Sequence, residues 1–170
     1  CAFLYKHNGS GTEGDDLYFQ VSSNGVVYTF TVESYLCGKD TDVYNAHPEY
    51  MLSCSTASNK DIFLYNLGND DAYIYIRDLL FKFMKDNGVD IYRQDFNISP
   101  INYWLENDEA DRVGITEIKH INNLYRLWDD MRQEFDGILI DNCAGGGRRI
   151  DLESIKRTCI LWRSDIGTVP

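Results

Sequence analysis

The sequence predicts an α/β fold built from parallel strands, and three observations support this prediction. From about residue 61 onward, short apolar runs alternate with longer segments whose apolar residues recur every three or four positions. That alternation is typical of β-α-β units, whose strands lie parallel in one sheet. The run at 138–140 is apolar throughout, as expected for a strand buried on both faces. The 170 residues suffice for one domain with its own core, but a complete (β/α)8 barrel needs roughly 200–250.

A β-rich segment precedes these units. Two runs at residues 17–21 and 26–32 flank Asn24-Gly25. Asn-Gly between two such runs is typical of a β-hairpin, and an antiparallel hairpin differs from the parallel units that follow. We therefore expect a divergent N-terminal segment over residues 1–40 that holds a β-hairpin, and a partial (β/α)8 barrel domain over residues 41–170.

Two long helices are predicted from apolar residues that recur along one face of each helix. Asn69 or Asp70 caps the first helix, and Gly88 ends it with a left-handed residue. Thr116 caps the second helix, and Asp151 caps a short third one. The apolar faces comprise Ile76, Leu79, Leu80, Phe83 and Met84 in the first helix and Ile121, Leu124, Tyr125, Trp128 and Met131 in the second.

Polar residues follow three predicted strands at their C-terminal ends. Asp95 follows the strand predicted at 89–93, and Asp165 follows the strand predicted at 159–162. The strand between them leads into Asp141. In a (β/α)8 barrel the C-terminal ends of the strands form the active-site face, so we expect these carboxylates to converge on one pocket.

Composition narrows the classes of partner. The net charge of −11 argues against nucleic acid, because affinity for the phosphate backbone comes from lysine and arginine, and it fits a neutral substrate. No apolar run approaches the ~20 residues of a membrane span, so we expect no membrane partner. The five cysteines are odd in number and widely spaced, which argues against zinc and against a disulfide framework. We therefore expect a reduced, cytoplasmic setting.

Two carboxylates on one pocket face indicate general acid/base or glycosidic chemistry. Asp95 and Asp165 lie two β-α units apart, and alternate strands of a barrel contribute to one inner layer. A retaining glycosidase would place the two carboxyl groups ~5–5.5 Å apart. Arg93 shares a strand face with Asp95 and would hold it ionised, which suits a nucleophile. A strand-end salt bridge without catalytic meaning explains the same pair equally well.

The connection over residues 98–114 is long, and connections of that length often carry function. Its Tyr103 and Trp104 could stack on a sugar ring or fix their own loop, and the sequence leaves both readings open. His120 is expected to be exposed or to lie one layer behind a site, with no catalytic role. 

The turn Gly145-Gly146-Gly147 lacks the spacing and the lysine of a phosphate-binding loop. It predicts close approach of the backbone to a small ligand. We expect Arg148 and Arg149, which follow it, to pair with Asp151 or Glu153.

Several motifs in order along the chain resemble one known family. They are Tyr92-Arg93-Gln94-Asp95-Phe96-Asn97, Asp141-Asn142-Cys143-Ala144-Gly145-Gly146-Gly147-Arg148-Arg149-Ile150-Asp151-Leu152-Glu153 and Leu161-Trp162-Arg163-Ser164-Asp165, preceded by His47-Pro48-Glu49-Tyr50 and Leu67-Gly68-Asn69. Residues 41–167 are similar to glycoside hydrolase family 36, the retaining α-galactosidases and their relatives.

The resemblance implies a catalytic (β/α)8 barrel that acts on an oligosaccharide substrate without a metal or organic cofactor. Asp95 matches the nucleophile of the family, and Asp165 matches its acid/base. The matching substrate-binding positions are Arg93, where the family usually has lysine, with Asn97, Cys143, Gly145 and Gly146.

The N-terminal part departs from the family. Glu33 matches the first glutamate of a Glu-Pro-Glu-Arg-type motif, but the arginine is missing, and residues 1–30 do not resemble early barrel strands. The sequence therefore also fits a catalytically incomplete barrel fragment that only binds sugar or packs against a partner. Transfer of galactose to another sugar, and assembly into a homo-oligomer, stay open as well.

Overall fold

The computed structural model describes residues 3–5, 18–23, 27–33 and 35–161. The described chain forms an α/β fold with a six-stranded sheet, a separate three-stranded sheet and helices between the strands. The six-stranded sheet contains, in spatial order, β1 (Phe3–Tyr5), β2 (Tyr18–Ser23), β3 (Tyr28–Glu33), β7 (Ile91–Asp95), β8 (Leu139–Cys143) and β9 (Ile160–Leu161).

Four neighbouring strands of this sheet, β3, β7, β8 and β9, run parallel. The sequence predicts this for β7, β8 and β9, but it assigns β3 to the divergent N-terminal segment and does not predict its parallel pairing with β7. β1 and β2 extend the sheet in antiparallel fashion, and β2 pairs with β3 from Tyr18–Glu33 to Ser23–Tyr28. Asn24-Gly25 lies outside the described residues, so the predicted Asn-Gly turn stays a prediction. The domain boundary predicted at residue 40 also stays a prediction, although β3 precedes it and pairs directly with β7.

The three-stranded sheet is antiparallel. Its strands are, in spatial order, β4 (Leu36–Gly38), β6 (Ile62–Tyr65) and β5 (Met51–Leu52). The apolar run at 62–65 is thus a strand, but it does not join the parallel sheet. A short apolar run fixes the extended conformation and leaves the choice of partner to tertiary contacts.

The helices follow the predicted order, with one correction to a cap. Asn69 caps the first long helix by accepting from two backbone N–H groups, and Gly88 ends it with φ 60°, as predicted. Thr116 does not cap the second long helix, because Gly114 holds that position and Asp108 accepts the N–H groups of Gly114 and Thr116. The helices are α1 (Asp42–Ala46), a 3₁₀ turn (Pro48–Tyr50), α2 (Asp70–Asn87), α3 (Ile101–Leu105), α4 (Ile115–Glu134) and α5 (Leu152–Arg157).

The predicted loop over residues 98–114 contains α3, which buries Tyr103 and Trp104 in the core. Their burial favours a role in fixing this segment over stacking on a sugar. His120 on α4 has no exposed surface and lies 5.2 Å from the Trp104 ring and 6.2 Å from the Phe96 ring, measured between ring centroids. Of the two predicted alternatives for His120, exposure is therefore wrong, and a position one layer behind the site is consistent with its packing against Phe96. The apolar periodicity of α4 did not predict the burial of His120, because the residues that cover it belong to α3.

The two faces of β7 have different surroundings. Tyr92 and Gln94 point to one face and are buried, and Phe96, just past the strand, is buried as well. The Tyr92 hydroxyl donates to Gln94 Oε1 at 2.7 Å and lies 3.1 Å from the Tyr35 hydroxyl. Arg93 and Asp95 point to the opposite face, since side chains alternate along a strand. No helix within the described part of the chain is long and apolar enough to cross a membrane.

Candidate active site

A cluster of charged and polar side chains lies at the C-terminal ends of β7 and β8. In the parallel register Arg93 is opposite Asp141 and Asp95 is opposite Cys143. Residues paired across neighbouring strands share a sheet face, so these four side chains lie together. Both strands extend further than the sequence predicts. Asp95 and Asp141 therefore belong to the strands, and not to the turns that follow.

Arg93 bridges two carboxylates at the centre of this cluster. Its Nη2 donates to Asp95 Oδ2 at 2.9 Å, and its Nη1 donates to Asp141 Oδ2 at 2.7 Å. The exposed fractions of the side chains of Arg93, Asp95 and Asp141 are 20%, 15% and 10%. Burial alone would lower the pKa of Arg93, but the hydrogen bonds and charges of Asp141 and Asp95 raise it overall. The three groups together carry a net charge of −1, with Arg93 held as a cation.

Cys143 contributes a thiol beside Asp95. Burial, followed by the negative charge and hydrogen bonding of Asp95, raises the pKa of Cys143 to about 11. The thiol is therefore protonated at neutral pH and is a weak donor rather than a nucleophile. Asp95 Oδ1 is buried and has no hydrogen-bond partner of ordinary geometry among the described residues. A buried acceptor without a partner costs about 1–3 kcal/mol, and such groups in native proteins call for a functional explanation or a bound water.

The predicted binding residues Asn97 and Gly145 meet in the structure. Asn97 Oδ1 accepts from the Gly145 N–H at 3.3 Å, and the Phe96 N–H donates to the Cys143 carbonyl at 3.1 Å. Gly145 and Gly146 have φ of 48° and 76°, the left-handed region that favours glycine. The turns after β7 and β8 are thus tied to each other beside Asp95.

Behind the site, Arg149 lies over the Phe96 ring with its Cζ 3.5 Å from the ring centroid. The predicted pairing of Arg149 with Asp151 or Glu153 is wrong for the described residues. Asp151 caps α5 and accepts from the Tyr125 hydroxyl, and Glu153 pairs with residues of its own helix. Burial lowers the pKa of Arg149 to about 10. A buried guanidinium on an aromatic face is a stable alternative to an ion pair.

A cavity of about 390 Å³ lies on this helix side of the sheet and is separate from the cluster around Asp95. It is lined by Phe96, by residues of α4 such as Tyr125 and Trp128, and by Arg148 and Arg149. Neither Arg93 nor Asp95 lines it. Within the described ranges, no three His, Cys, Asp or Glu side chains form a cluster that could hold a metal ion.

The structure brings together five of the seven predicted site residues directly: Arg93, Asp95, Asn97, Cys143 and Gly145. Gly146 follows in the same turn, and Asp165 lies outside the described residues. Sequence reasoning missed the ion pair between Arg93 and Asp141. A predicted strand that continued to residue 143 would have revealed this ion pair. Residues 141 and 143 would then share one strand face, as Arg93 and Asp95 do.

Comparison with known proteins gives a consistent picture. The sequence model of the Melibiase family matches residues 6–168. An alpha-galactosidase of Escherichia coli is 29% identical over 148 residues, which cover 85% of this chain and 20% of that protein. Alpha-galactosidase Mel36A of Lactobacillus acidophilus is 22% identical over 93% of this chain and 21% of that protein. The chain therefore spans about a fifth of the length of these curated relatives.

Solved structures agree on the fold. The alpha-galactosidase from Lactobacillus brevis superposes with a TM-score of 0.68 at 20% identity, over 83% of this chain and 19% of that one. The GH36 alpha-galactosidase AgaA from Geobacillus stearothermophilus gives a TM-score of 0.68 at 20% identity, over 83% of this chain and 20% of that one. This chain thus shares its fold with about a fifth of each of these structures. The chain belongs to the Melibiase family, which agrees with the resemblance of its motifs to glycoside hydrolase family 36.

Proposed function

We propose that this chain carries the nucleophile-bearing part of a retaining glycoside hydrolase that releases terminal α-linked galactose from oligosaccharides. Asp95 is the nucleophile and Asp165 the acid/base in this proposal. The relatives that the chain matches are named alpha-galactosidases, which supports the substrate class. Because the chain spans about a fifth of them, the proposal concerns the chemistry of this segment within its protein.

The observation that carries the proposal is the environment of Asp95. Its carboxylate lies at the C-terminal end of a parallel strand, where barrel enzymes keep their catalytic groups. Arg93 donates to Oδ2, whereas Oδ1 has no hydrogen-bond partner of ordinary geometry among the described residues. A carboxylate fixed in direction by one cation is suited to attack an anomeric carbon.

The reaction proceeds by double displacement. A carboxylate oxygen of Asp95 forms a bond to the anomeric carbon, while the bond to the leaving oxygen breaks and that oxygen takes the proton of Asp165. Water then gives a proton to Asp165 and attacks the same carbon, which frees Asp95 and releases galactose with its configuration retained. In this proposal Asn97, Cys143 and the backbone of the glycine turn contact the sugar.

Turnover of an aryl α-galactoside by the chain and its variants tests the proposal. Asp95→Ala and Asp165→Ala should each lower turnover on the order of 10³-fold or more, since each removes a group that acts in the reaction. Asp111→Ala is the matched control, because Asp111 is exposed and lies outside the cluster. NMR of the first-formed sugar should show the α-anomer, and the β-anomer would refute retention.

Azide separates the two roles. With Asp95→Ala, azide should occupy the place of the missing nucleophile and give β-galactosyl azide. With Asp165→Ala, azide should attack the covalent intermediate and give α-galactosyl azide. Exchanged products would reverse the assignment of the two aspartates. A chain that binds galactose but shows no turnover would instead support the non-catalytic fragment.

A further inference from the structure

The cluster contains a second carboxylate, Asp141, for which the proposed reaction has no chemical step. Asp141 is on β8, directly opposite Arg93, and its side chain is less exposed than that of Asp95. It binds Arg93 at 2.7 Å, a shorter contact than the 2.9 Å between Arg93 and Asp95. Burying a second negative charge near a nucleophile is costly unless it is compensated. Its presence calls for an explanation within the cluster.

The charges of Arg93, Asp95 and Asp141 supply an explanation for the buried Asp141, which rests on the proposed function. In the resting site Arg93 is shared by Asp95 and Asp141, and the three groups sum to −1. When Asp95 forms the glycosyl ester its negative charge disappears. Arg93 then still has a carboxylate at 2.7 Å, and the three groups become neutral.

We propose that Asp141 is a positioning residue that shares Arg93 with the nucleophile and keeps this buried cation compensated while Asp95 is esterified. Sharing has two effects. Arg93 stabilises the free Asp95 carboxylate less than an undivided cation would, so the carboxylate stays more reactive. Arg93 also retains an opposite charge in the intermediate, so the loss of charge on Asp95 is tolerated in a partly buried site.

Besides Asp95, Asp141 is the carboxylate with a described contact to the Arg93 guanidinium. On β7 the charged neighbour of Asp95 is Arg93, and on β8 the neighbours are Asp141 and the protonated Cys143. On β3 the register places Glu33 opposite Asp95 and Thr31 opposite Arg93. Asp141 is next to β9, where its register partner is the apolar Ile160.

The decisive variant is Asp141→Asn, which removes the charge and keeps the size of the side chain. Arg93 should then lose the carboxylate that compensates it once Asp95 is esterified, so the covalent intermediate should form more slowly. Arg93→Gln provides the reference. In its background Asp141→Asn should cause no further slowing, because Asp141 acts through this cation, whereas a merely structural role for Asp141 would add its own loss.

Trapping of the covalent intermediate gives the readout. With an activated 5-fluoro galactosyl fluoride of α configuration, labelling of Asp95 followed by mass spectrometry should be on the order of tenfold slower in Asp141→Asn than in wild type. Asp141→Glu, which restores the charge, should recover part of that rate. Asp111→Asn is the control for loss of an exposed carboxylate and should leave the labelling rate unchanged.

The outcomes separate this inference from the proposed function. If wild type is not labelled at Asp95, the proposed function fails, and the role of Asp141 in the intermediate fails with it. If wild type is labelled and Asp141→Asn is labelled as fast as wild type, or slows labelling as much in the Arg93→Gln background as in the wild-type background, the function stands and the inference is overturned. If Asp141→Asn does not fold, Asp141→Ala, which leaves room for water beside Arg93, replaces it in the labelling experiments with the same expectations.

Discussion

The buried His120 makes the stability of this chain dependent on pH. Burial, followed by the charge of Arg149, lowers the pKa of His120 from its ordinary value of 6.5 to about 3. In the unfolded chain the imidazole takes up a proton near pH 6.5, whereas in the folded chain it stays neutral. Since the unfolded state binds more protons between these two pH values, acidification through that interval favours unfolding.

The size of this loss of stability follows from the linkage between proton binding and folding. Below pH 6.5 this one group removes about 1.4 kcal/mol of stability per pH unit, or about 2 kcal/mol between pH 7 and pH 5. The loss down to pH 5 hardly depends on the exact folded-state pKa, because any value well below 5 gives the same result. That is a large share of the ~5–15 kcal/mol that stabilises a typical domain.

Urea unfolding of wild type and His120→Leu at pH 7 and pH 5 measures this effect. The wild type should lose about 2 kcal/mol more than the variant between the two pH values, because leucine fills the site without titrating. At pH 7 the variant should cost little, since the ring nitrogens of His120 have no hydrogen-bond partner among the described residues. Leu124→Val, one helical turn away in the same buried face and without a titrating group, serves as control and should keep the wild-type difference. Equal losses in wild type and His120→Leu would refute the reasoning.

Three further predictions concern single positions. Asn69→Ala should lower the free energy of unfolding by about 1 kcal/mol in urea titrations, because Asn69 Oδ1 accepts two backbone N–H groups at the start of α2. Gly88→Ala should lower the free energy of unfolding by about 1 kcal/mol in the same assay, since φ is 60° at that residue. For either variant, an unchanged urea midpoint would contradict the prediction. Iodoacetamide at pH 8 should alkylate the exposed Cys159 faster than the buried Cys143, whose pKa is about 11. Peptide mass spectrometry would show the reverse order if the Cys143 thiol were accessible and ionised.

The sequence by itself determined the local features of this protein. The Asn69 cap, the Gly88 stop and the Asp151 cap depend on groups within a few residues, so composition and spacing suffice to place them. The pairing of Arg93 with Asp95 is also local, because residues two apart on a strand share a face. The parallel orientation of β7, β8 and β9 followed from the alternation of periodic and apolar segments.

Tertiary structure decided the rest. Asp141 reaches Arg93 only because β8 pairs with β7 in one particular register, and a shift by one residue would turn its side chain to the other face. His120 is buried because α3, in a segment predicted as a loop, covers it. The strand at 62–65 joined a separate antiparallel sheet for the same kind of reason. These outcomes depend on contacts between segments far apart in the chain, and no local pattern records which segments meet.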